Sequence, residues 1–111
     1  MLNLILASGF LIASVAAPPQ PVLALDNIIR CVALDDVYWD AMISAGAGER
    51  DDADIEWRER NLKKAVAEGA HQNVSEAEVY DRYDKVYKQL QMVEANDDLN
   101  AEFLQCHKKL T

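Results

Sequence analysis

No ionisable side chain occurs before Asp26, no proline after Pro21, and no cysteine besides Cys31 and Cys106 in the 111 residues. Each scarcity narrows the reading. The uncharged opening holds a nearly continuous apolar run, Leu4 to Ala17, broken only by Ser8, Gly9 and Ser14. That run suits the core of a signal peptide and falls short of the roughly 20 apolar residues that cross a bilayer. Pro18, Pro19 and Pro21 follow it, and a helix does not continue unbroken through them. Val22-Leu23-Ala24 then offers small or apolar residues where a signal peptidase cuts. The sequence therefore predicts a signal peptide over 1–24 and a single domain over 25–111. Ala17 is the poorer junction, because Pro18 would follow it. The start Met1-Leu2-Asn3 has no Lys or Arg, which leaves an uncleaved anchor and a buried core helix as the alternatives. No cysteine stands at the junction, so a lipoprotein is not expected.

The scarcity of helix breakers decides the fold class. Beyond residue 24 there is no proline, and the glycines are Gly46, Gly48 and Gly69, each at a place where a helix is expected to stop. Strand-type alternation is missing and helix formers dominate. The expectation is an all-α, small four-helix bundle, three helices long and the last one short.

The first helix starts at Asp26 or Asn27 and ends at Gly46-Ala47-Gly48. Its apolar stripe runs through Ile28, Cys31, Val32, Tyr38, Trp39 and Met42. The second begins in Asp51-Asp52-Ala53-Asp54, which suits the positive end of a helix dipole, carries Ile55, Leu62 and Val66 on one face, and terminates at Gly69. The third opens on a capping box, Ser75-Glu76-Ala77-Glu78. Its stripe from Val79 through Tyr83 and Leu90 to Val93 is about 120° out of phase with Leu99, Phe103, Cys106 and Leu110. One straight helix cannot bury both stripes, so Asn96-Asp97-Asp98 reads as the cap of a fourth helix.

Two cysteines in an exported domain are expected to pair. Cys31 lies near the start of the first helix and Cys106 near the end of the last, and an up-down-up-down bundle brings those ends together. The pair has no C-x-x-C spacing for redox or metal chemistry.

Nineteen acidic residues against eleven basic ones give a formal charge of −8. That balance argues against nucleic acid, and against an anionic membrane surface once the signal is removed. Asp52, Asp54 and Glu56 alternate like the first ligands of a calcium loop. Trp57 stands where that loop needs glycine and Lys63 where it needs glutamate, so these acids read as helix caps. His107 reads as a partly exposed residue suited to a helix C-terminus. It cannot share a haem iron with Met42, which the cysteine register sets about 16 Å away along the axis. No nucleophile elbow, glycine-rich phosphate loop or paired histidine is visible, so no catalytic residue, cofactor or metal is assigned. Asn73-Val74-Ser75 matches the glycosylation triplet. Tyr38, Trp39, Tyr80, Tyr83 and Tyr87 are the candidate partner contacts, with core packing as the competing role.

The resulting expectation is a secreted or periplasmic, non-enzymatic acidic protein that binds a protein partner or serves a structural role in the cell envelope. An acid-responsive periplasmic chaperone and a carrier holding a small ligand in the bundle interior are the alternatives. Processing after Ala24 is checked by the intact mass of the protein from its native host. A chain beginning at Leu25 is the expected result, and a retained Met1 refutes it.

Overall fold

A computed structural model describes residues 21–110. Four helices follow one another: α1 (Pro21–Ser44), α2 (Asp52–His71), α3 (Glu76–Gln91) and α4 (Asp97–Lys109). No strand occurs among the described residues. The expected signal peptide lies outside them except for its last four residues, which belong to α1. That helix starts at Pro21, five residues earlier than the Asp26 cap predicts, because a proline is well tolerated in the first turn of a helix.

The other caps fall where the sequence places them. Asp51, Ser75 and Asn96 each sit at an extended N-cap position and accept from the backbone N–H three residues on, at Asp54, Glu78 and Leu99. The Glu78 carboxylate is engaged by Arg82, Nε to Oε2 at 3.1 Å. That pair and Asp81–Lys85, at 3.0 Å, both have the favourable acid-first order at helical spacing.

Helix α1 is the axis of the bundle. Parallel contacts tie it to α3, where Tyr83 reaches Asp36 and Tyr87 reaches Asp40. Antiparallel contacts tie it to α2 and α4, through Arg58 on Asp36 and Arg30 on Glu102. The topology is therefore up-down-up-down. Two apolar clusters fill it. Leu25, Ile28, Ile29, Ala65 and Val79 form one, and Ala33, Leu34, Trp57, Leu90 and Cys106 form the other. Five successive residues of α1, Val32 to Asp36, are all buried. Five residues at about 100° each go fully round a helix, so α1 is covered on every side there, not along one stripe.

The Cys31–Cys106 disulfide joins α1 to α4 with a Cα–Cα distance of 5.5 Å. It closes a loop of 75 residues, for which the chain-entropy account gives about 4.5 kcal/mol of stabilisation. The described cysteines contain no free thiol.

Gly69 is a correction to the sequence reading. It does not terminate α2, which runs on to His71. Asn73, at φ 59°, takes the left-handed conformation just beyond the Gln72 cap. Gly69 is buried because α3 passes directly over it. A β-carbon there would stand 2.8 Å from Val79 Cγ2 and 3.1 Å from the Val74 carbonyl oxygen. Overpacking of that kind costs about 1–3 kcal/mol, against a helix-propensity gain of at most about 1 kcal/mol. Gly69→Ala should therefore lower stability by about 1 kcal/mol, read as a lower urea midpoint at unchanged m. A raised midpoint would show that α2 and α3 separate freely at this crossing.

Candidate functional site

The feature that α1 positions is a buried cluster of charge. Asp35 and Asp36, adjacent on α1, are 0% and 5% exposed. Ionised carboxylates in such a place need partners that carry charge. Arg50, in the loop before α2, supplies most of it. Its Nη2 bonds Asp35 Oδ2 and lies 2.8 Å from Asp36 Oδ1, and its Nε lies 2.6 Å from Asp54 Oδ2. Arg58 of α2 donates from Nε to both oxygens of Asp36, at 2.8 and 3.0 Å. The Tyr83 hydroxyl of α3 also donates to Asp36.

The two remaining oxygens point the other way, toward α4. His107 Nε2 stands 3.1 Å from Asp35 Oδ1 and 3.3 Å from Asp54 Oδ1. The imidazole is held firmly. Its Nδ1 is 3.0 Å from the Phe103 carbonyl oxygen, which can only accept, so Nδ1 carries a hydrogen. Its ring stacks on Trp57 at a centroid distance of 4.3 Å and leans on Phe103 at 4.5 Å. Beside it, the fully buried Asn61 donates from Nδ2 to the carbonyl oxygens of Trp57 and Leu110, tying α2 to the end of α4.

Burial pushes the Asp35 carboxyl up to about 7, helped by the neighbouring Asp54 and opposed by Arg50. Burial acts to raise Asp54 as well. Hydrogen bonds with Asp35, Arg50 and His107 outweigh it and hold Asp54 below its ordinary value. Arg50 is pushed up despite its burial, because three carboxylates stabilise its charge. Tyr83 is pushed up by burial and by Asp36. Tyr87 rises to about 12, chiefly through its hydrogen bond to Asp40.

The residues singled out in the sequence fall into three groups. Cys31 and Cys106 pair as expected. Tyr83 and Tyr87 are half-buried with their hydroxyls engaged by α1 acids. Tyr38 stacks on Phe103 at 4.2 Å and meets Trp39 edge-on at 5.8 Å, while Tyr80 is exposed on α3. Asp54 is not one more cap of α2: Asp51 does that work, and Asp54 turns inward. His107 does lie in the last turn of α4, but as part of the cluster. Asp35, Asp36, Arg50 and Arg58 escaped sequence reasoning. The signal was present, since Asp35-Asp36 interrupts an otherwise apolar run from Cys31 to Trp39.

A second feature lies at the far end of α1. An apolar groove of about 210 Å³ runs between α1, the α3–α4 link and α4, lined chiefly by Leu34, Val37, Leu90, Val93, Leu99 and Phe103. No helix among the described residues is long and apolar enough to cross a membrane. No protein-family model matches the chain, and neither a curated protein nor a solved structure matches it.

The titration of Asp35 has a definite sign. A carboxyl raised in the fold contributes stability that is fully present below its unfolded value, near 3.8, and lost as pH rises through about 7. Asp54 acts oppositely, contributing stability above its unfolded value that is lost in acid. In metal-free buffer the protein should therefore be more stable at pH 5 than at pH 8, by on the order of 2 kcal/mol. Asp35→Asn should flatten that dependence in thermal melts. An equal slope in the variant would place the titration on another group.

Proposed function

We propose that this chain is an exported, non-enzymatic helical module that docks a basic, apolar segment of a partner protein in the groove at the far end of α1. The observation that supports this reading is the exposed apolar rim beside the groove. Met92, the C-cap of α3, is 87% exposed and Val93, just beyond it, 50%. Exposed methionine next to an apolar groove is an adaptable contact surface. Acidic residues accompany it, since Glu94 of the adjoining link and Asp97 and Asp98 in the first turn of α4 are all exposed. On a chain of net charge −8, these favour a partner segment carrying Lys or Arg beside its apolar residues.

Export rests on the apolar N-terminal run and on a disulfide that oxidising compartments sustain. The interior between α1, α2 and α3 is occupied by Leu25, Ile29, Val32, Ala65 and Val79. A carried ligand would have to displace these, so the carrier reading shifts to the groove as well. The acid-responsive reading draws on Asp54, whose ion pairs with Arg50 weaken as acid protonates it.

The rim residues can be changed without disturbing the core. Capture from native envelope extract, followed by recombinant binding of the captured protein, should show an affinity that falls at least about tenfold in Val93→Asp. The same interaction should weaken with salt. Equal binding by Val93→Asp, with a partner insensitive to salt, would move the docking surface elsewhere.

A further inference from the structure

The three atoms His107 Nε2, Asp35 Oδ1 and Asp54 Oδ1 face one another, the nitrogen 3.1 Å from the first oxygen and 3.3 Å from the second. One potential ligand atom from each of these residues lies within 4.8 Å of the other two. Arg50 occupies the Oδ2 atoms of both aspartates, which leaves the Oδ1 pair turned toward the imidazole. Asp35 Oδ1 receives no hydrogen bond although its side chain is wholly buried. A buried carboxylate oxygen without a donor is costly, so its position calls for a cation or a proton.

With Asp35 ionised, Asp35, Asp36 and Asp54 carry three negative charges against two on Arg50 and Arg58, so the cluster calls for one further positive charge, which a proton or a cation supplies. With Nδ1–H donated to the Phe103 carbonyl, Nε2 is the nitrogen turned toward the two carboxylates and left for a metal, the orienting arrangement common to metal-bound histidines. Trp57 and Phe103 fix the plane of the ring. Asp54 and His107 also line an open cleft with Tyr38, Trp39 and Trp57, through which an ion and its remaining water ligands could enter.

We propose that Asp35, Asp54 and His107 form a binding site for one divalent first-row transition ion, with Zn²⁺ as the fitting probe. One imidazole nitrogen and two carboxylate oxygens make a borderline donor set that suits zinc and its neighbours. Ca²⁺ and Mg²⁺ prefer oxygen throughout, and three protein ligands are too few for Ca²⁺. A proton and a metal ion compete for the same three atoms, so zinc binding weakens as pH falls.

The test is calorimetric titration of untagged, disulfide-bonded protein with Zn²⁺ at pH 7.5, after stripping with a chelator. One ion per chain is expected, with Ca²⁺ unable to compete. His107→Gln should weaken zinc binding at least about tenfold, and His71→Gln should leave it unchanged. No uptake at up to about a hundredfold excess of zinc, or uptake that His107→Gln leaves intact, would mean that the triad holds a proton only. Should His107→Gln fail to fold, long-range ¹H–¹⁵N spectra of the unmutated protein decide the matter. Zinc must then move the His107 Nε2 resonance, and a response confined to His71 overturns the assignment.

Discussion

Two successive carboxylates sit in a stretch of α1 that is covered on all sides, and most of the architecture answers to them. Asp35 and Asp36 cannot be hydrated where they are, so other elements must bring charge to them. Arg50 fixes the loop that enters α2, Arg58 fixes the first half of α2, and Tyr83 fixes the rotation of α3. His107 does the same for α4. Each of the other helices therefore contributes at least one polar side chain to the same few ångströms of α1, in addition to its apolar packing. Replacing such a network with apolar residues is often neutral or stabilising, whereas losing one member is expensive, so it serves registry better than raw stability.

That division of labour explains why so small a domain holds a unique arrangement. The apolar clusters are formed mostly of Leu, Ile, Val and Ala, which tolerate sliding by a helical turn. The polar cluster does not. A one-turn shift of α2 would take Arg58 off Asp36 and carry the Arg50–Asp54 pair away from Asp35 and Asp36, and the disulfide bars the corresponding shift of α4.

The helices, their caps and the disulfide were legible in the sequence because each has a local signature. Ser75 and Asn96 are caps by residue type and position, and the phase slip between Val93 and Leu99 marks the break before α4. The charge cluster was not legible in the same way. Periodicity treats α1 as having one apolar face, whereas its environment depends on how many helices surround it, which is a tertiary fact. Asp54 and His107 are 53 residues apart, and each has a sufficient local explanation, a cap for one and a C-terminal dipole for the other. Gly69 was misjudged for a related reason. A glycine near a helix end reads as a stop, and only the passage of Val79 over it shows that it is there for close approach.

The disulfide has a consequence that concerns redox chemistry. Cys106 immediately precedes His107, so the bond to Cys31 holds the imidazole against α1. With the bond reduced, α4 is held by noncovalent contacts alone, among them Arg30–Glu102, Asn61 to Leu110 and Phe103 on Tyr38, and the triad loses its covalent anchor. Linkage between equilibria is reciprocal. If the oxidised state assembles the triad, then whatever cation the triad holds must in turn make the cysteines harder to reduce, by the same free energy. The thiol poise of the compartment and the occupancy of Asp35, Asp54 and His107 are thus two readings of a single equilibrium.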